Sequence, residues 1–459
     1  MLAEYFAQLE DNPLFPNVDP QALRESFAEP IPQDGIAADT IIDELERKLL
    51  PYCTQVNHPG YFGYITPTAT PAGVIGDLIA SALNQNLALW SIGPSAVAME
   101  RQTIRWLDDL IGYDERAGGN LTSGGMMANF IALKLARDAV SNDTAQHDGI
   151  RQPSAVYTSE ERHVSVDKAL DAVGIGRNML RVLPTDAHFR LDIDALEESL
   201  AIDTDNGIRP VCIVAAGGST NNGAVDDLKR LRAIADRVGA WLHVDSAYGG
   251  GMLLSQKFPG VLDGLHLADS VTLDPHKWFY APLDAGAILV KDESRLTKSF
   301  GMRPPYLDGE DIHLGDRYDY YVHGFEQSRR FRSLKVWMGF KRYGARQIGQ
   351  WVDANVEHAR HLYQLATDHP DFQPATFPIM SAICIRYCPE EFSPDVAAKL
   401  HATVAKRIAA QGRFWFSTTV MKGQTWFRIN PVNFRTRMEH MDQLFDALCA
   451  ECEAVRAGR

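Results

Sequence analysis

The sequence predicts an α/β protein built on a largely parallel sheet, followed by a smaller α+β domain. Three observations carry that expectation. Between about Leu78 and Gly344, short apolar runs alternate with amphipathic helical stretches, the pattern of strands joined by crossover helices. After about residue 350 the pattern changes to helix, short strands and helix. Asp245, His276 and Lys277 all fall where strands end, and parallel sheets bind ligands beyond the carboxyl ends of their strands.

Residues 1–77 are expected to form a helical, Pro-punctuated N-terminal segment. Asp39 is placed to cap a helix carrying Ile41, Ile42, Leu45 and Leu49 on one stripe, and Pro51 stops it. The large domain is expected over 78–345. There Ala128, Ile131, Leu135 and Ala139 form a helical stripe, and Ala155 to Thr158 reads as a strand. Val211 to Ala215 is an apolar run bounded by Pro and Gly. Asp226 is expected to cap a helix through Leu228, Leu231 and Ile234. Trp241 to Asp245, Ser270 to Leu273 and Gly286 to Val290 read as further strands. Ser299 to Arg330 breaks the alternation with Gly301, Pro304, Pro305, Gly309, Gly315 and Gly324. Loops that long inside a compact domain are lids or disordered segments, so 299–330 is assigned as a mobile lid. Residues 346–459 form the smaller domain.

Composition narrows the function classes. Hydrophobic residues make up 45% and charged residues 23%, as in an ordinary soluble globular protein. The net charge of -14, from 45 basic and 59 acidic side chains, disfavours nucleic acid and anionic membranes as partners. The N-terminus lacks a basic start followed by an apolar run, so no secretory signal is expected. No apolar stretch is long enough to span a bilayer; Ala72 to Trp90 comes nearest, interrupted by Asp77, Asn84, Gln85 and Asn86. A cytoplasmic location follows as an expectation. Six cysteines in so long a chain are not a disulfide framework. Cys449 and Cys452 have C-x-x-C spacing, but on an amphipathic helix that spacing places them on one face, and no metal is expected.

The segment Asp274-Pro275-His276-Lys277-Trp278 follows Trp241-Leu242-His243-Val244-Asp245-Ser246-Ala247-Tyr248. A lysine able to form a Schiff base and an acid able to pair with a pyridinium nitrogen are the minimum equipment for holding pyridoxal phosphate (PLP). A strand-end lysine alone is ordinarily a solvated surface residue; the pair in this order points to PLP. Asn120 to Asn129 contains Ser123-Gly124-Gly125-Met126 ahead of the helical stripe. Two glycines before a helix let backbone amides, those of Gly125 and Met126, close around a phosphate favoured by the helix dipole. Without the lysine the same turn reads as a plain helix start. Asp245 would keep the ring nitrogen protonated, so that the ring acts as an electron sink; its other reading is a helix cap. Ala247 would pack on one ring face and His163 on the other, although a lone histidine is more often structural. Thr220, in Gly217 to Gly223, would meet the ring's hydroxyl side.

Together with Asn57-His58-Pro59-Gly60-Tyr61-Phe62-Gly63-Tyr64, these motifs resemble the group II PLP-dependent amino-acid decarboxylases, above all the aromatic-L-amino-acid decarboxylase branch. The likeness runs, in order and spacing, from about residue 35 into the C-terminal domain. The resemblance implies fold type I (aspartate-aminotransferase-like) with a mostly parallel seven-stranded sheet. It also implies a homodimer with the active site at the interface and the N-terminal segment packed on the partner. By position it makes Lys277 the Schiff-base lysine, Asp245 the pyridinium partner and His163 the stacking residue. His276 would sit beside the phosphate and the lysine. Tyr320, ahead of Arg330-Phe331-Arg332-Ser333-Leu334-Lys335, would be the lid tyrosine that returns a proton to the product. The segment His58 to Pro94 would line the substrate pocket, with His58, Tyr64 and Trp90 in it.

The chain departs from the family's pattern at two places. Met126 and Met127 stand where the family carries a hydroxyl residue and then Glu, so the phosphate loses a hydroxyl partner and contacts by Thr122 or Ser123 are weakly based. Asp274 stands where some members have Asn; an acid beside a phosphate is repelled unless turned away, so it is not counted as a contact.

The expected reaction is decarboxylation of an L-amino acid to an amine and CO2. No Lys or Arg occurs between Lys48 and Arg101, where Tyr61, Phe62, Tyr64, Ile65, Leu87, Leu89 and Trp90 are found instead. Burying a second substrate carboxylate without a cation costs several kcal/mol. Burying an aromatic side chain gains about 1.5–3 kcal/mol. An aromatic substrate is therefore expected, unless Arg303, Arg317 or Arg329 supplies a cation. Three alternatives stay open: an aldehyde synthase that oxidises rather than protonates the product, which the presence of Tyr320 opposes; a decarboxylase of an acidic amino acid; and a PLP-binding protein without turnover, favoured only by Met126-Met127.

Overall fold

A computed structural model describes residues 2–16, 18–305 and 317–458. The chain divides into two compact units, one of Ala69–Glu357 with Pro378–Ala382, the other of Met1–Thr68, His358–Phe377 and Ile383–Arg459.

The larger unit holds a seven-stranded sheet. Its strands in chain order are β1 (Gly118–Thr122), β2 (Ser154–Ser159), β3 (Leu180–Leu183), β4 (Arg209–Ala216), β5 (Trp241–Asp245), β6 (Ser270–Leu273) and β7 (Gly286–Val290). The spatial order is β1-β7-β6-β5-β4-β2-β3. The run β6-β5-β4-β2-β3 is parallel, and β7 pairs antiparallel with both β6 and β1. The strands expected from sequence are all present. The helix Gly125–Val140 lays Ala128, Ile131, Ala132, Leu135 and Ala136 on the sheet, against Val156, Val214, Ile288 and Val290. Each such Ile or Leu contributes about 1.5–3 kcal/mol by burial, so this helix is fixed where its first turn faces the strand ends.

Both expected helix caps shift. The helix Ala38–Lys48 starts one residue before Asp39, which lies in its first turn rather than at the cap. The helix Leu228–Val238 is capped by Asp227, whose side chain accepts from Arg230 N at 3.1 Å. Asp226 is buried instead, accepting from Leu191 N and Ala216 N at 2.7 Å each. It ties two strand connections together, and burial pushes its carboxyl up to about 6.

The smaller unit carries an antiparallel sheet of β8 (Phe372–Pro374), β9 (Ile383–Tyr387), β10 (Ser417–Met421) and β11 (Gln424–Ile429), in the order β10-β11-β9-β8. Residues expected to stand apart as an N-terminal segment belong to this unit. Leu14 N donates to Gly412 O at 2.8 Å, Phe62 N to Trp415 O at 2.7 Å and Asn430 N to Phe62 O at 2.9 Å. Phe62 joins Phe414, Phe427 and Ile385 in its core. The boundaries therefore fall near 68 and 357 rather than 77 and 345; Gly344, with φ 72°, breaks a helix without ending a unit. Among the described residues no helix is long and apolar enough to cross a membrane.

Candidate active site

Asp245 ends β5, and Lys277 lies in the connection from β6 to β7, so both stand at the carboxyl ends of adjacent strands. The connection is pinned from both sides of the lysine. Trp278 Nε1 and the Tyr280 hydroxyl donate to Asn355 Oδ1 at 3.1 and 2.7 Å. Trp278 also stacks on Tyr248 with centroids 5.1 Å apart. His276 N donates to Ala285 O at 3.0 Å and Lys277 N to Asp274 O at 2.8 Å. With the backbone so anchored, the Lys277 side chain alone is left to reach the cavity beside it.

That cavity has a volume of about 230 Å³. Of the residues expected from sequence, Gly125, Met126, His163, Thr220, Asp245, Ala247 and Lys277 line it. His276 stands behind the lining. Its Nδ1 accepts from Ala285 N at 2.9 Å, and its Cε1 is 3.3 Å from where a side chain on Gly124 would begin. Gly124 is favoured as glycine by its φ of 154°, and a Cβ there would also crowd the His276 ring. A Cβ on Gly125 would meet Asp274 Oδ2 at 2.9 Å and the Ala247 methyl at 3.1 Å. Thr122 Oγ1 accepts from Gly124 N at 3.3 Å, so its hydroxyl shapes the turn.

Asp274 is buried under this turn, its Oδ2 3.0 Å from Lys277 Nζ and 3.6 Å from His276 Nε2, while its Oδ1 has no partner among the described residues. The acid that sequence reasoning set aside is thus the lysine's ionic partner. Burial pushes His163 and His276 below the ordinary histidine range, against the opposing pull of Asp245 and Asp274 respectively. Burial thus favours the neutral form of both rings.

Asn129 and Ser165 were not anticipated. Asn129 Nδ2 donates to Asp245 Oδ2 and to Ser165 Oγ, each at 2.7 Å, and Ser165 Oγ lies 2.8 Å from His163 Nδ1. The available signal was spacing: Asn129 falls one helical turn after Gly125, on the same face. Glu161 and Arg162 also line the cavity; Glu161 accepts from Asn221 and Arg162 pairs with Asp167 at 2.9 Å.

A glycine turn at a helix start, a strand-end lysine and a strand-end acid around one cavity suit an anionic, ring-bearing cofactor held by an amine. Residues 20–388 match the pyridoxal-dependent decarboxylase conserved domain.

The chain belongs to that family.

It is a PLP-dependent lyase of the amino-acid decarboxylase type, with the seven-stranded large domain of fold type I. This decarboxylase is 32% identical over 456 residues to an aromatic-L-amino-acid decarboxylase of Bacillus atrophaeus, covering 99% of this chain and 94% of that one. It is 26% identical to an L-2,4-diaminobutyrate decarboxylase of Acinetobacter baumannii, covering 98% and 91%. It superposes on the crystal structure of Oryza sativa TDC with PLP and tryptamine at a TM-score of 0.93, with 26% identity over 99% of this chain and 96% of that one. The family is shared by relatives of different substrate, so membership alone leaves the substrate open.

The cavity's chemistry fits PLP. At the start of the helix Gly125–Val140, Met127 N and Ala128 N donate to Gly124 O at 3.0 and 3.1 Å, so the amides of Gly125 and Met126 are the ones that would cup an anion. Asp245 and Lys277 offer the acid and amine the ring requires.

Tyr320 is elsewhere in the decarboxylase. Part of the expected lid, 306–316, lies outside the described residues; Ser294–Phe300 is helical and Tyr320–Val322 forms a helical turn. Tyr320 is fully buried beside Ala80, Leu87, Val97 and Phe331 and does not line the cavity. The Arg329 guanidinium lies 4.0 Å over its ring, and its hydroxyl has no partner among the described residues. Burial, then the nearby Glu100 carboxylate, hold that phenol well above the ordinary tyrosine range. Arg329, a candidate cation for an acidic substrate, is committed: its Nη2 donates to Glu100 Oε1 at 2.6 Å and Leu121 O at 3.0 Å. His58 is buried, its Nδ1 accepting from Gly60 N at 2.9 Å. Tyr64 is 61% exposed, and Trp90 lines a separate cavity with Arg101, Arg105, Arg317 and Tyr318. Phe62 and Leu87 are core residues.

Proposed function

We propose that this decarboxylase acts on L-amino acids, aromatic ones first, releasing the amine and CO2. The observation that carries the reading is the convergence of Lys277, Asp245, His163 and the Gly124-Gly125 turn on one cavity. When bound, PLP supplies an electron sink for the bonding pair left as CO2 departs. Lys277 Nζ is the point of covalent attachment, with Asp274 as its ionic partner. Asp245 is assigned to the ring nitrogen, whose proton it holds. His163 and Ala247 flank the ring, and Thr220 meets its hydroxyl. The amides of Gly125 and Met126 hold the phosphate, with His276 behind the turn.

Tyr320 is assigned the return of a proton to the product carbon. Its hydroxyl is buried away from the cavity, so this role requires 317–323 to leave the Glu100–Arg329 cluster. That position favours one second reading, release of an aldehyde with consumption of O2. Tyr320→Phe separates the two: with Tyr320 as donor, the variant keeps PLP but diverts product from amine to aldehyde.

An aromatic substrate is supported by the commitment of two arginines, Arg329 to Glu100 and the cavity-lining Arg162 to Asp167. The Lys- and Arg-free segment 49–100 adds to this only through the family resemblance, since its residues do not line this cavity. Phenylalanine and glutamate supplied at equal concentration test it. Preferential release of 4-aminobutyrate overturns the substrate assignment and leaves the PLP site intact.

Association into a homodimer is supported by two uncovered apolar faces; that its active site is shared rests on the family resemblance alone. The helix Pro71–Leu83 exposes Ile75, Leu78 and Leu83, and the helix Ala38–Lys48 buries no residue while exposing Ile41 and Ile42. Light scattering on the purified protein checks the mass.

A further inference from the structure

We infer that Asn129 is a positioning residue that sets two parts of the cofactor site at once: the direction of the Asp245 carboxylate and the tautomer of the His163 ring. The inference rests on the PLP reading for its consequences, but its geometry stands in the protein alone.

The argument is one of hydrogen-bond polarity. An ionised carboxylate can only accept, so the Asn129 side-chain atom 2.7 Å from Asp245 Oδ2 is its amide nitrogen. The amide oxygen then faces the other way, toward His243 Nε2 at 2.9 Å and Thr272 Oγ1 at 2.7 Å, and both must donate. His243 is fully buried and burial pushes it down to about 4, so it is neutral and carries its one proton on Nε2. Its Nδ1 must therefore accept, and Ser270 Oγ is 2.8 Å away to donate. That hydroxyl is free to donate because it accepts from Trp241 Nε1 at 2.8 Å. The longer approach of Nδ1 to the Ser270 carbonyl, 3.2 Å, would suit the opposite tautomer, which would turn the Asn129 oxygen against Asp245.

The same polarity runs on to His163. Asn129 Nδ2 spends its second proton on Ser165 Oγ. Because the Ser165 backbone N–H already donates to His163 Nδ1 at 3.2 Å, that nitrogen is an acceptor and takes the Ser165 hydroxyl proton as well. With two donors on Nδ1, His163 is the neutral Nε2–H form, and Nε2 is left as a donor. One asparagine thus orients the acid assigned to the ring nitrogen and, through Ser165, fixes which nitrogen of the stacking histidine carries the proton.

The test uses the full-length holoprotein with 15N-labelled histidine and two variants. In the parent, the His163 signals are expected to show Nε2 protonated and Nδ1 bare. Asn129→Leu, close in size and without polar atoms, is expected to mix the His163 tautomers and to weaken PLP binding by on the order of 10–100-fold, the loss of a hydrogen bond to a charged group. Ser165→Ala cuts only one arm, so the His163 signals move while PLP is lost less than in Asn129→Leu; this variant serves if Asn129→Leu does not fold. An Nδ1-protonated His163 in the parent overturns the inference. So does an Asn129→Leu protein in which only one of the two readouts moves, or neither. A parent protein with the expected tautomer but no visible band from PLP attached at Lys277 instead overturns the PLP reading and leaves the hydrogen-bond network standing.

Discussion

Two buried polar regions of the larger unit are built on opposite terms. Around Asn129, the side chains of Ser165, His243, Asp245 and Thr272 leave no buried polar atom without a partner among the described residues. Around Tyr320, four such atoms lack one: Tyr320 OH, Arg329 Nη1, Glu100 Oε2 and Asn120 Oδ1. A completed network holds one geometry, because any displacement breaks bonds that water cannot replace. An incomplete one carries groups that each cost about 1–3 kcal/mol to leave unmade. The Asn129 side of the cavity is therefore held in one geometry, with Asp274 Oδ1 beside Lys277 the one unmade bond among the described residues that line it, whereas the cluster around the tyrosine assigned as proton donor carries four.

The largest effect is expected in the first region. Lys277→Ala should abolish turnover and the visible absorption of attached PLP, read by spectrophotometry and CO2 release. An unchanged spectrum would remove the lysine from its assigned role.

In the second region, Arg329→Leu strands the fully buried Glu100 carboxylate and should cost about 3–5 kcal/mol in denaturant unfolding. Adding Glu100→Leu should recover most of that loss, because an apolar pair often replaces a buried ion pair at no cost. If the double variant is as unstable as the single one, the cluster is held by more than its ion pair.

The two regions should also differ in pH response. Burial pushes His243 down from 6.5 to about 4, so in that window the unfolded chain binds a proton that the native state refuses. Stability contributed by a neutral His243 is present above about 6.5 and lost on acidification toward 4, up to about 3 kcal/mol. Asp108, on the helix that carries Glu100, is pushed by burial from 3.8 up to about 8, and its Oδ1 has no partner. Here the native state keeps the proton, so stability is lost as pH rises from about 4 to 8. Asp108→Asn should remove the alkaline loss and leave the acid loss, which melting curves at pH 5, 7 and 8 distinguish. Equal gains at all three values would show that Asp108 does not titrate.

The smallest effect compares two hydroxyls. Thr272→Val removes a donor to Asn129 Oδ1 and should cost about 1–2 kcal/mol, while Tyr320→Phe removes an unpartnered hydroxyl and should cost nothing or stabilise slightly. Chemical denaturation of both variants measures the contrast. A Tyr320→Phe protein destabilised as much as Thr272→Val would mean the phenol has a partner after all.

Local chemistry made much of this legible in the sequence. Period and apolar runs located every strand named from sequence, and residue type with order pointed to Lys277, Asp245 and the glycine turn, because a cofactor that needs an amine, an acid and an anion cup leaves all three in the chain. The sequence could not show that Phe62 closes the core of the C-terminal unit, that Asp226 ties two connections while Asp227 caps, or that Tyr320 is buried with Arg329 over its ring. Nor could it show that Asn129 joins Asp245 to His163, or that Asp274 partners Lys277. Those depend on which distant residues come within 3 Å of one another and on which of two neighbouring acids turns inward. Periodicity determines the face a side chain occupies, but the polarity and pairing of buried groups are set only when separate strands and helices are packed together and water is excluded.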